Sequence, residues 1–122
     1  MRSLRVSRGF KEFVLDQLAD VGVAGRAMFG GVGLYHDDLF FGIIARDVLY
    51  LKVDDVNRPD YEAAGAAPFR PYPDRAGTME YFAVPVEILE SATDLARWAA
   101  KAIAVAGRAA EGRKLRARGR RR

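Results

Sequence analysis

Between Met28 and Val53, three runs rich in aromatic and β-branched residues follow one another with only two or three polar residues between them. Connections that short cannot carry the chain back to the end of the sheet it started from, so neighbouring runs must pair antiparallel. The runs are Met28–Tyr35, Leu39–Ala45 and Val48–Val53. They are broken by His36-Asp37-Asp38 and by Arg46-Asp47, residue types that suit tight turns. A three-stranded meander is the centre around which the rest must pack.

The flanks supply the covering layer. Phe10, Phe13, Val14, Leu18 and Val21 recur at spacings of three and four behind Ser7, with Lys11, Glu12, Asp16, Gln17 and Asp20 opposite. That pattern predicts an amphipathic helix capped by Ser7 and ended by Gly22. Pro59 is placed to open a short helix through Ala64, closed by Gly65. Phe69–Tyr72, hemmed by prolines, reads as an edge strand, and Met79–Val84 as a further strand stopped by Pro85. After Ser91 and Thr93, the residues Leu95, Trp98, Ala99, Ala102, Ile103 and Ala106 share one face of a second long helix.

The expected architecture is two-layer α+β in the order α-β-β-β-α-β-β-α, with an antiparallel sheet of about five strands and flanking N- and C-terminal helices. A chain of 122 residues suits one domain, placed at 1–107, with a basic, flexible tail at 108–122. In the second run Phe40 and Ile44 are assigned to one side and Leu39, Phe41 and Ile43 to the other. Both faces are therefore apolar, which calls for cover by the remaining segments or by a second copy, a homodimer.

Charge is unevenly distributed. Residues 108–122 carry eight basic groups against Glu111 alone, leaving twelve basic and fifteen acidic groups on residues 1–107, a net of −3. The pI of 9.7 thus describes the tail. Arg113, Lys114, Arg116, Arg118, Arg120, Arg121 and Arg122 are the candidate nucleic-acid contacts, suited to phosphate backbone without base selectivity. Five to seven such contacts predict a log–log salt slope of about −4 to −6.

Reactive chemistry is sparse. With no cysteine, thiolate ligands and nucleophiles are excluded and the cytosol is the default compartment. The start shows no signal-peptide core, and the longest apolar run, Leu39–Ala45, is far short of the roughly 20 residues that cross a bilayer. Gly30-Gly31-Val32-Gly33 lacks the Gly-Lys-Ser/Thr of a phosphate loop and lies inside a run read as strand, where glycines serve bulges or close packing. His36 beside Asp37 and Asp38 has no second histidine or nucleophile at motif spacing, and Asp54-Asp55 reads as acidic linker. Base stacking on a basic-aromatic sheet surface has only Lys52, Arg46 and Arg70 to draw on.

The stretch Arg26-Ala-Met-Phe-Gly-Gly-Val-Gly-Leu-Tyr35, with Phe40-Phe41, Leu49-Tyr-Leu-Lys-Val53, Pro68-Phe69, Tyr72, Gly77, Met79 and Tyr81-Phe-Ala-Val-Pro85, resembles the N-terminal domain of TfoX/Sxy-type competence regulators. The likeness runs from the first helix to about Ala106. It implies the α+β fold just described and no catalytic residues. Its motif positions Arg26, Met28, Phe29, Gly30, Gly31, Gly33, Tyr35, Lys52, Tyr81 and Pro85 are read as structural. Full-length members of that family regulate DNA-uptake genes with a cAMP-responsive transcription factor and carry a second helical domain, so the resemblance here is to an N-terminal domain standing alone. The expected function is a non-catalytic regulatory module with a protein partner in the transcription machinery and no cofactor. The alternative is nucleic-acid association through the tail. A small-ligand binder or enzyme built on Gly30–Gly33 and His36 is the least supported.

Overall fold

The structure is a computed structural model that describes residues 3–70 and 80–120. Among them the element order is α1 (Arg8–Gln17), β1 (Ala24–Met28), β2 (Gly31–His36), β3 (Leu39–Ala45), β4 (Val48–Lys52), α2 (Arg58–Ala63), β5 (Tyr81–Ala83), α3 (Val86–Leu89) and α4 (Ala92–Arg120). The five strands form one antiparallel sheet in linear order β1-β2-β3-β4-β5, flanked by the N- and C-terminal helices. No described helix is long and apolar enough to cross a membrane.

The run Met28–Tyr35 is not a single strand. Phe29 and Gly30, at φ 51° and 87°, form a two-residue turn. Positive φ at both central positions is the geometry that fits a hairpin to the sheet's twist. The turn folds Ala24–Met28 back onto Gly31–His36, pairing Met28 with Gly31 and Arg26 with Gly33. Arg46-Asp47, at φ 50° and 58°, makes the equivalent turn between β3 and β4. The expected strand at Phe69–Tyr72 is represented by a lone bridge between Pro68 and Phe82 and by the Phe69 N–H donating to the Tyr81 carbonyl at 2.7 Å. Tyr72, Gly77 and Met79 lie outside the described residues.

A one-residue register shift between β2 and β3 corrects the side assignment. Leu34 pairs with Gly42 but Tyr35 pairs with Phe40, so Phe41 has no partner on β2. A bulge of this kind resets the alternation of side chains. Leu39 and Phe41 consequently join Ile44 on one face, while Phe40 joins Ile43 and Ala45 on the other. Gly42 makes the bulge possible, since a Cβ there would stand 3.1–3.3 Å from Leu51, the Tyr50 carbonyl and Leu34.

The first face is the main core. Val14 and Leu18 of α1 and Leu95, Ala99, Ala102 and Ala106 of α4 pack on Val32, Leu34, Phe41, Ile44, Leu49 and Leu51. Tyr61 of α2 is wedged edge-on against Trp98, ring centroids 4.7 Å apart. The second face is covered in part by the chain itself: Leu4 and Phe69 are buried with Ile43, Ala45 and Tyr81. The Leu4 N–H donates to the Phe29 carbonyl, its carbonyl accepts from Arg46 N–H, and Gly31 lies beneath it. The apolar pattern that pointed to a second copy is thus met at one end of the sheet from within.

Residues 108–120, expected to fray, continue α4 without a break at Gly107 or Gly112. The two glycines cost about 1 kcal/mol each, but the intervening Ala, Arg, Lys and Leu favour helix, and the terminal arginines complement its dipole. Arg108 also reaches Asp54, Nε to Oδ2 at 2.9 Å and Nη2 to Oδ1 at 3.0 Å, and Lys101 meets Asp60 at 2.8 Å. Desolvation opposes ionisation of Asp54. Hydrogen bonds from Val56, Arg108 and Asn57, with the charge of Arg108, nevertheless hold its carboxyl below the ordinary value of 3.8.

Two predictions follow from this packing. A Cβ on Gly31 would meet the Ile44 carbonyl at 2.5 Å, whereas Gly9, on the exposed side of α1, has open space. Urea titration should show Gly31→Ala destabilising by roughly 1–3 kcal/mol and Gly9→Ala stabilising by up to ~1 kcal/mol. A folded pKa below the unfolded one adds stability above the unfolded value that is lost as pH falls through the folded value. The gap in urea midpoint between the native chain and Asp54→Asn should accordingly be constant from neutral pH down to the ordinary carboxylate range and close at lower pH.

Candidate binding face and basic helix end

Once the bulge has set the alternation, each strand contributes one side chain to a continuous row on the second face. The Arg26 guanidinium of β1 lies 4.5 Å above the Tyr35 ring of β2. Tyr35 stacks on Phe40 of β3, with centroids 5.1 Å apart and planes 28° from parallel. Phe40 meets Tyr81 of β5 at 5.7 Å, and the Lys52 ammonium of β4 sits 5.0 Å over the Tyr81 ring. Cation–ring contacts of this geometry contribute about 0.5–1 kcal/mol each where solvent reaches them.

Gly33 makes room for the row. A Cβ at this position would stand 3.1 Å from the Phe40 ring and 3.3 Å from the Tyr35 ring. Arg26 is exposed, Tyr35, Phe40 and Lys52 are half-buried, and Tyr81 is 3% exposed. Burial, with the nearby Tyr35, pushes the Tyr81 hydroxyl up to about 12 against the opposing charge of Arg113. Tyr81 therefore stays neutral across the physiological range.

Arg113 reaches this surface from α4. At 3.6 residues per turn, the stripe Leu95, Ala99, Ala102, Ala106 that lies on the sheet continues through Ala109 to Arg113, Arg116 and Arg120. Where the helix passes the end of the sheet, its sheet-facing side changes from alanine to arginine. The corner so formed is a groove of ~360 Å3 lined by Asp38, Leu39, Phe40, Lys52 and Tyr81 on one side and by Ala106, Ala109, Ala110, Arg113 and Lys114 on the other.

The residues singled out from sequence are distributed accordingly. Arg26, Gly33, Tyr35, Lys52 and Tyr81 are brought together on the second face, with Met28 at the Leu4 end of it. Phe29 and Gly30 form the β1–β2 turn, Phe29 with 67% of its surface exposed, and Gly31 is a packing position under Leu4. Pro85 stands apart, preceding α3. Arg113 and Lys114 line the groove, and Arg116, Arg118 and Arg120 lie on the exposed end of α4; Arg121 and Arg122 lie outside the described residues. Arg46 is in the β3–β4 turn beside Tyr50 and does not enter the row.

His36 is occupied structurally, its Nδ1 3.0 Å from the Gly22 carbonyl, to which it donates when protonated there. Among the described residues no group of three or more His, Asp or Glu side chains is placed to hold a metal. The signals that sequence reading lacked were the Phe29-Gly30 turn, which puts Arg26 on an adjacent strand facing Tyr35, and the Phe41 bulge, which turns Phe40 toward Tyr81. The Asp54–Arg108 pair joins residues 54 positions apart, and no local pattern announces it.

Residues 16–106 match the family model described as the TfoX N-terminal domain, and no curated protein matches the chain. The matched segment runs from α1 through all five strands to Ala106, and so includes every member of the row while leaving the basic end of α4 outside it. Since the match spans well over half of the 122 residues, the chain belongs to the TfoX N-terminal domain family.

Proposed function

We propose that the chain is a non-catalytic regulatory module that acts by contact with a protein of the transcription machinery. Family membership supports the reading, and the observation that carries it is the half-exposed row Arg26–Tyr35–Phe40–Lys52. Arginine and tyrosine presented on a rigid sheet are the side chains that most often dominate binding energy at protein interfaces. His36 and Asp54 are engaged by the Gly22 carbonyl and by Arg108 respectively, which leaves them poorly placed for acid–base work.

The full chain immobilised against purified RNA polymerase and a cAMP-responsive transcription factor should bind one of them saturably. Tyr35→Ala should weaken that binding at least tenfold, about 1.4 kcal/mol, with the melting temperature checked in parallel. Absence of binding to either, or equal binding by the variant, contradicts the reading.

A second reading rests on the helical state of the basic end. Arg113, Lys114, Arg116, Arg118 and Arg120 are exposed on one continuous helix, and none of them forms an ion pair among the described residues. Such an array suits phosphate backbone. Five engaged cations give a log–log salt slope of about −3.5 on single strands. A flat response removes it.

A further inference from the structure

The groove under the end of α4 gives that second reading a specific ligand. We propose that it holds one unpaired nucleotide of a single-stranded nucleic acid, phosphate between Lys52, Arg113 and Lys114 and base against Phe40; the inference rests on the nucleic-acid reading above.

The walls of the groove come from two elements with different charge. The sheet contributes an aromatic surface, Phe40 and the Tyr81 ring, with the Lys52 ammonium over it. The helix contributes two cations, Arg113 on its sheet-facing side and Lys114 next to it. Neither Lys52 nor Arg113 nor Lys114 has an acidic partner within salt-bridge distance among the described residues, whereas Lys101 and Arg108, further up the same helix, both do. Asp38, on the β2–β3 turn, is the single acidic residue of the lining among the described residues. Three cations with one carboxylate at the rim favour an anion.

Size and shape choose among anions. A volume of ~360 Å3 lies at the low end of small-molecule sites and admits a single nucleotide-sized group. A duplex is too wide to enter and can touch only the outer flank of the helix at Lys114 and Arg118. A flat ring is the complement of a half-buried Phe40, and stacking on an aromatic beside a cationic track is how single strands are held without sequence preference. An acidic peptide without aromatic residues offers the charge but not the ring. Beyond the groove, Arg116 and Arg120 continue the track about 4.5 and 10.5 Å along the helix from Arg113 at 1.5 Å per residue, so neighbouring phosphates of one strand are met in turn.

The test uses the full chain and fluorescence anisotropy with a labelled 12-nucleotide oligothymidylate, a duplex of equal length, thymidine monophosphate and polyglutamate, at low salt. The single strand should bind at least fivefold tighter than the duplex. Lys52→Gln combined with Arg113→Gln should lower single-strand affinity tenfold or more with little change for duplex. Arg118→Gln, off the track, should weaken both by similar small factors. Circular dichroism and melting temperature establish that each variant is folded, and Arg113→Gln alone replaces the pair if Lys52→Gln unfolds the sheet.

Equal affinity for both nucleic acids with no effect at Lys52 and Arg113 overturns the groove while leaving phosphate contact by the helix end intact. No binding to either overturns both. Thymidine monophosphate binding as tightly as the oligonucleotide, or polyglutamate displacing it at equal charge, overturns the strand as the ligand.

Discussion

The unpaired residue at Phe41 decides which side of the sheet each aromatic of β3 occupies. Without it, strict alternation would send Phe40 away from Ile43, and Phe41 and Ile44 to opposite faces. With it, Leu39, Phe41 and Ile44 are delivered to α1 and α4, and Phe40 is delivered to Tyr35 and Tyr81. Two absent side chains permit this. Gly42 gives the bulge room against Leu51 and Leu34, and Gly33 gives the Tyr35 and Phe40 rings room to lie close to the strand. Gly33 and Gly42 are thus spacers for a two-faced sheet.

The long C-terminal helix has two parts with distinct roles joined by one periodicity. Up to Ala106 its small residues let it lie on the sheet, close enough that a Cβ on Gly107 would touch Leu39. Beyond that point the same stripe bears arginines, and the Asp54–Arg108 pair ties the helix to the loop after β4. The pair is bidentate, the geometry in which a surface ion pair contributes measurably. The overhang converts a surplus of charge into a corner with a defined aromatic wall.

Much of this was legible in the sequence because the determinants are local. Ser7 does accept from the Phe10 N–H to start α1, β3 begins and ends at Leu39 and Ala45, and Pro59 and Gly65 bracket α2. Ser91 caps the turn that opens α4. What escaped depends on pairing across the sheet. Ala24–Met28 has poor strand propensity and becomes β1 only because the Phe29-Gly30 turn lays it beside β2. The bulge is invisible in composition, so the sides of Phe40 and Ile44 were misassigned. The tail at 108–122 reads as flexible, but neighbouring helix formers and the Arg108 clamp carry α4 through Gly107 and Gly112 to Arg120. The row itself was present as motif residues whose common face only the register reveals.

The claim that binding is confined to the second face and the adjoining end of α4 is tested most directly by residue-resolved amide shifts. In a 15N-labelled full chain titrated with an unlabelled single-stranded oligonucleotide, the account predicts the largest perturbations at Phe40, Lys52, Tyr81, Arg113 and Lys114, with smaller ones through Arg120. Perturbations centred on α1, or on the outer side of α4 around Arg97 and Lys101, would contradict it.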